Sequence, residues 1–289
     1  MKELINKKIT SMKKITKVLL IIIILLIIWI SFVALQKPSL NRDWSSDQEI
    51  LADISFFWDS VNIKNIRNFN YSSETDYEVV YYNESYNLNE IESVYYIIEP
   101  FSDYDWPAHT MLSFAFENGT YLTVSAEIRK EKGESFSALM WALNKYEIVY
   151  ILWDENDLIK LRTNHRKDDV FMYPIKTEKE KIKELFISVM KRADKLSKEA
   201  EFYNTFTNTC ATSILEHVNS VRENNDESII NWSRKIFLPS RSDQIAYDLW
   251  LIDTELSLED AREYYKINEL AEIFKDDENF SKFIRKDIK

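Results

Sequence analysis

Residues 110–128 read TMLSFAFENGTYLTVSAEI. Two runs rich in apolar, aromatic and β-branched residues, 110–116 and 121–128, flank the dipeptide Asn118-Gly119. Asn-Gly between two such runs is the strongest short-range hairpin signal, because both residues tolerate the positive φ that a tight turn asks for. The stretch therefore predicts an antiparallel hairpin. Alternation along its return strand puts Ser125, Glu127 and Arg129 on one face, and the turn brings Glu127 beside His109 at the mouth of the first strand.

Working outward, residues 61–70, 77–82, 93–98, 146–153 and 170–173 carry strand patterns, with 146–153 (YEIVYILW) apolar enough to be fully buried. Residues 48–58 and 135–144 read as short helices. After residue 176 the period changes from two to three and four. Thr177 with Glu180 has the spacing of a capping box, and Ile182, Leu185, Phe186, Val189, Ala193 and Leu196 follow on one helical face. A polar loop with Asn204, Thr207 and Asn208 leads into a second helix over 210–221. Ser257 with Asp260 starts a C-terminal helix whose apolar positions include Leu258, Ala261, Tyr265 and Leu270. Strands come mainly first and helices mainly last, so the class is α+β, an antiparallel sheet packed on helices.

The amino terminus is of another kind. Residues 18–35, VLLIIIILLIIWISFVAL, hold no charge and reach the minimum length of a membrane-spanning helix. Lys7, Lys8, Lys13, Lys14 and Lys17 precede them, and by the positive-inside rule stay cytoplasmic. A cleavable signal peptide is the rival reading; its apolar core would be shorter and end in a small-x-small site, for which Phe32-Val33-Ala34 is a poor fit. The division expected is a basic cytoplasmic stub (1–17), a single-pass anchor (18–36) in the inner membrane, a polar connector (37–47) and one extracytoplasmic domain (48–289). The net charge of −11 joins a stub and anchor near +5 to a body near −16. An acidic body argues against a nucleic-acid partner, since phosphate contacts need clustered Lys and Arg. Two glycines and five prolines exclude collagen-like and linker-rich classes.

Cys210 is the only cysteine, so no internal disulfide can form. It is either a small buried hydrophobe or a nucleophile. The second reading has support from its position. At a helix start, with Asn208 or Thr209 as cap, free amides and the helix dipole favour the thiolate and could hold an oxyanion. Of the three histidines, His217 lies two helical turns from Cys210, too far for a direct hydrogen bond, and reads as a surface or packing residue. His165 falls in RTNHR, which reads as a solvated loop. His109, preceded by Trp106 and Pro107, is the candidate base, and Glu127 its candidate orienter, with a cross-strand ion pair to Arg129 or a Lys as the alternative for Glu127. HExxH, CxxC, GxSxG and P-loop patterns are missing from the sequence, and neither metal nor cofactor is called for.

Several blocks taken together resemble the DUF4105 family, the Lnb N-terminal periplasmic domain. They are Asn65-Ile66-Arg67-Asn68-Phe69 with Tyr71, Asp76 and Tyr77; Ala108-His109-Thr110 with Leu112-Ser113-Phe114; and the run Glu127 to Glu134 (EIRKEKGE). Tyr146-Glu147, Asp154-Glu155, Leu161-Arg162-Thr163-Asn164, Tyr203-Asn204, Asn208-Thr209-Cys210, Leu238-Pro239 and Phe280-Ser281 follow in order. The similarity spans about residues 40 to 285. It implies a papain-like thiol fold of the permuted NlpC/P60 type, with His before Cys. It also implies acyl transfer, as in lipoprotein N-acyltransferases that move a fatty acyl chain from phospholipid to the N-terminal amine of a lipoprotein cysteine. Carried over by position, Cys210 is the nucleophile, His109 the base and Glu127 the orienter. Arg129, Arg162 and Asn208 are candidate substrate-binding residues, the two arginines for a phosphate head group or for structure. Trp106 and Trp141 are candidates for an acyl groove or for the core. A cell-wall amidase or peptidase and a non-catalytic envelope module are the other readings. The sequence departs from full-length transferases in that no multi-span half follows the body.

Overall fold

The computed structural model describes residues 2–101, 108–134, 145–204, 207–225, 227, 229–230 and 242–285, with side chains from residue 12 onward. The helix expected over 135–144, together with Trp106, Pro107, Trp141, Leu238 and Pro239, lies outside the described residues.

The first helix, α1 (Lys2–Leu35), takes in both the lysine-rich stub and the apolar run. It runs unbroken through both because no Gly or Pro interrupts the chain before Pro38. Its segment Met12–Leu35, 24 residues, is long and apolar enough to cross a membrane, and nothing in the domain covers it. At 1.5 Å per residue it spans about 36 Å, more than a hydrocarbon core of about 30 Å.

Residues 37–47 do more than connect. Trp44 is buried and bridges to Glu131, the Ser45 N–H donates to the Lys130 carbonyl (2.9 Å), and the Lys132 N–H donates to the Asp43 carbonyl (2.8 Å). Arg42 pairs with Glu147 at 2.6 Å. The connector is laid along the domain, so the anchor is joined to a fixed point of the sheet.

The helix expected over 48–58 is instead a turn followed by strand β1 (Asp53–Phe57). It forms a two-residue hairpin with β2 (Ser60–Arg67), with Phe57 opposite Ser60. Trp58 opens that turn at φ 42°. The apolar spacing of 48–58 suits a helix, but pairing with β2 overrides it. Strands β3 (Asn70–Tyr71) and β4 (Tyr77–Glu78) make a small separate ladder. The remaining strands are β5 (Tyr81–Asn87), β6 (Ile91–Pro100), β7 (Ala108–Phe116), β8 (Tyr121–Arg129), β9 (Glu147–Trp153) and β10 (Phe171–Pro174). Among the described residues the main sheet runs β1-β2-β9-β8-β7-β6-β10, with β5 also on β2. Every pairing is antiparallel except a single parallel contact between Arg67 and Trp153.

The hairpin of 110–128 forms the centre of this sheet as β7 and β8. Gly119, at φ 82°, donates to the Phe116 carbonyl (2.9 Å), and the Phe116 N–H donates to the Thr120 carbonyl (3.0 Å). This is a three-residue turn closed by a left-handed glycine, a conformation that costs other residues more. All nine residues of β7 are buried, because helices cover both faces of the sheet. The helices are α2 (Glu155–Lys160), α3 (Lys179–Lys198), α4 (Cys210–Asn224), α5 (Ser242–Asp248), α6 (Leu258–Tyr265), α7 (Asn268–Ile273) and α8 (Phe280–Phe283). On one face Phe186 of α3 meets Phe114 and Phe116 edge-on and Tyr86 at a tilt. On the other, Met111, Val149 and Ile151 pack against Ile267, Phe280 and Ile284.

Three further expectations are corrected. Helix α3 starts one residue later than a Thr177 cap requires; Glu178 is the N-cap and makes no side-chain cap bond. The C-terminal helix is two, α6 and α7, interrupted at Lys266–Ile267, where the chain turns to pair Lys266 with Phe171. Its Ser257 cap, accepting from the Asp260 N–H at 3.2 Å, is as expected. The RTNHR segment is a π-helical turn (Leu161–Arg166), not a solvated loop, with Arg162 and Thr163 buried.

Candidate active site

The hairpin register does the first part of the assembly. Met111 pairs with Ser125, and the same count two residues on sets His109 opposite Glu127. Their side chains meet, His109 Nε2 lying 2.8 Å from Glu127 Oε1. The contact does not follow the ring N–H direction, so it is an ion pair by distance rather than a straight hydrogen bond. Strand β6 adds a third member to the rung, Glu99 opposite His109.

Helix α4 supplies the thiol. Thr209 is the N-cap, and the capping box is reciprocal. Thr209 Oγ1 accepts from the Thr212 N–H (3.2 Å), and Thr212 Oγ1 accepts from the Thr209 N–H (2.8 Å). Cys210 is therefore the first helical residue. The amides of Cys210 and Ala211 have no acceptor within the helix, and the dipole adds positive potential at that point. The thiol is buried, 4.0 Å from the Ala108 carbonyl and within hydrogen-bonding reach of the His109 ring.

The electrostatics follow from that contact. Burial disfavours the charged forms of Cys210, His109 and Glu127, yet all three shifts run the other way. The Glu127 carboxylate and the hydrogen bond that the ring donates to Cys210 hold the His109 imidazole protonated up to about 10. His109 and Thr110 together pull the Cys210 thiol below its ordinary range. The His109 charge, with Arg162 and Ser125, keeps Glu127 ionised well below the usual carboxylate range. Both shifts favour the thiolate–imidazolium form of the pair over the neutral one.

Glu127 is itself held. Trp153 Nε1 donates to Ser125 Oγ (2.9 Å), and Ser125 donates to Glu127 Oε1 (2.8 Å). Arg162 lies 3.6 Å from Glu127 and 2.6 Å from Glu99. The Trp153 ring carries the guanidinium of Arg67 at 3.6 Å and that of Arg162 at 5.4 Å. Sequence reasoning missed Trp153 and Glu99. Trp153 was signalled only as the end of a buried strand, and Glu99 lies just beyond the expected end of its strand.

The other candidates stand apart from the thiol. Arg162 is spent on two carboxylates and is buried, so it presents no open fork to a phosphate. Arg129 donates to the carbonyls of Gln48 (3.1 Å) and Glu49 (2.9 Å) and stacks on Trp44, which pins the connector. Asn208 donates to the Phe202 carbonyl (3.1 Å) and shapes the turn before the cap. His217 is not at the surface: it is buried between Tyr150 Oη (3.0 Å) and Ser188 Oγ (2.8 Å). His165 packs against Tyr71. Among the described residues no group of three or more His, Cys, Asp or Glu side chains is arranged to hold a metal.

The sequence pattern of the Lnb N-terminal periplasmic domain matches residues 77–239, more than half of the chain. This chain belongs to the Lnb N-terminal periplasmic domain family. His109, Glu127, Arg162 and Cys210 all fall inside the matched stretch, so the family domain carries the whole cluster. The Asn65–Tyr71 block and Phe280-Ser281, which also resemble the family, fall outside it. No curated protein and no solved structure matches the chain. The family is periplasmic by description, and with one helix able to span a bilayer the Lnb-type domain fits a single-pass membrane protein.

Proposed function

We propose that this Lnb-type domain is a cysteine acyltransferase that passes an acyl chain from a membrane lipid, with phospholipid as donor, through a thioester on Cys210. A lipoprotein amine is the acceptor that the family resemblance implies. The observation that carries the reading is the pairing of part-buried Glu127 with buried His109 at 2.8 Å beside a thiol on the first residue of a capped helix.

Attack requires the thiolate beside the protonated His109 ring, a form that the lowered thiol pKa favours. The thiolate adds to the ester carbonyl, and the amides of Cys210 and Ala211 hold the oxyanion. The C–S bond forms, the ester C–O bond breaks, and the leaving alkoxide takes the His109 proton. Neutral His109 then removes a proton from the attacking amine. The C–N bond forms, the thiolate leaves, and the imidazolium is restored. Glu127 stays ionised throughout and stabilises that imidazolium. The lysines of the first 17 residues keep the amino terminus cytoplasmic, which puts the domain on the periplasmic side of the inner membrane, next to its lipid.

Intact-mass analysis of the full chain after incubation with phospholipid vesicles tests this, for the native protein and Cys210→Ala. A fatty-acyl increment on the native chain alone, released by hydroxylamine, is the expected result. No increment with a Cys210 that iodoacetamide still alkylates would favour an amidase. No increment and no alkylation would leave a binding module.

A further inference from the structure

Helix α4 carries more than the thiol. Ala211, Ile214, Leu215, Val218 and Val221 recur at helical spacing and form one side of a cleft of about 300 Å³. Leu112, Leu185 and Ile245 line its other walls. The cleft starts at Ala211, the residue after the nucleophile, and follows the helix away from it. Ile214, Leu215 and Val218 stay only part-buried, so the described residues do not fill this stripe. Charge gathers at its far end, where Arg222 meets Glu227 at 3.1 Å and Lys181 pairs with the same carboxylate.

Two properties of the cleft select its occupant. Its lining is mainly apolar, so most amides of a peptide would be buried there without partners, at a cost of a few kcal/mol each. From Ala211 to Val221 the rise is about 15 Å, half the hydrocarbon thickness of about 30 Å and so the depth of one leaflet. The same chain carries a helix able to span that bilayer. We propose that this cleft holds a single acyl chain of a membrane lipid, threaded along α4 so that its ester carbonyl lies at Cys210. The inference rests on the acyl-transfer reading.

The test uses the full chain in detergent with p-nitrophenyl butyrate and p-nitrophenyl palmitate as probes, reading the rate of Cys210 acylation by each. In Val218→Trp the indole occupies the middle of the cleft. The palmitate-to-butyrate rate ratio should fall by about tenfold or more, the effect of displacing two or more buried methylenes. Leu215→Trp, also at a part-buried position, should do the same, and serves if the first variant does not fold. A ratio unchanged in a folded variant that is still acylated overturns the cleft and leaves acyl transfer standing. Failure of both esters to acylate the native chain overturns the acyl-transfer reading and the cleft with it.

Discussion

His109 and His217 are equally buried, each 7% exposed, and the protein treats them in opposite ways. His109 is held protonated up to about 10; His217 is held neutral down to about 4. Burial pushes both in the same direction, toward the neutral ring. The difference is the company. His109 faces the carboxylate of Glu127 and the thiol of Cys210, while His217 faces the hydroxyls of Tyr150 and Ser188 with Arg192 nearby. A buried histidine therefore reveals its part in the molecule through the charges it meets, not through its depth.

The sharpest way to break this comparison is to remove each ring in turn. His109→Ala should slow iodoacetamide alkylation of Cys210 at pH 7 by about 10²-fold or more, since it removes both the cation and the base. His217→Ala, on the same helix as the thiol, should leave that rate within about threefold. Equal losses in the two variants would mean that the contrast has no chemical content.

Glu127→Gln tests the source of the His109 shift. Losing the carboxylate should lower the imidazole pKa by more than about one unit in an NMR titration and slow alkylation at pH 7 by roughly tenfold. An unmoved titration would assign the shift to Cys210 alone.

The linkage to stability has opposite signs for the two rings. His109, with its pKa raised from 6.5 to about 10, contributes stability that is fully present below 6.5 and lost as pH rises through about 10. His217, with its pKa lowered, does the reverse. Between about 6.5 and 4 the unfolded chain binds a proton that the folded one refuses, so stability falls with acid by on the order of 2 to 3 kcal/mol. Urea unfolding at pH 7 and pH 4.5 should show a smaller acid loss in His217→Gln than in the native domain. An identical loss would place the acid sensitivity elsewhere.

The last and smallest effect concerns the support behind Glu127. Ser125→Ala removes the hydroxyl between Trp153 and Glu127 without touching either charge. Stability should drop by about 1 kcal/mol, the ordinary cost of a buried hydrogen bond. Thiol alkylation should change less than in Glu127→Gln; a larger change would make the hydroxyl, rather than the ion pair, the decisive partner of Glu127.

Much of the site could be read from local chemistry. Asn118-Gly119 determines the turn, the turn determines the register, and the register puts Glu127 beside His109. Thr209 before Cys210 marks a helix start for the same local reason. Glu99 escaped notice because its place opposite His109 depends on β6 running on to Pro100 and pairing across a connection that the sequence does not dimension. The choice between surface and packing for His217 stayed open because its seven-residue spacing from Cys210 describes only its own helix. Its burial comes from Tyr150 on β9 and Ser188 on α3, elements far away in the chain. The helix expected over 48–58 failed likewise, its spacing overruled by pairing with β2.

By itself, then, the sequence determined what depends on neighbours within a few residues: an apolar span able to cross a membrane, the central hairpin with its facing His109 and Glu127, and a thiol at a helix start. Only the tertiary structure decided what depends on packing. It laid the connector on the sheet, brought α4 against β7 so that sulfur meets imidazole, gave one buried histidine a charge and kept the other neutral, and left an apolar cleft beside the nucleophile. The physical reason is one of range. Turn and cap geometry are set by short-range sterics and hydrogen bonds, whereas burial and pKa are set by whichever distant residues the fold brings within a few ångströms.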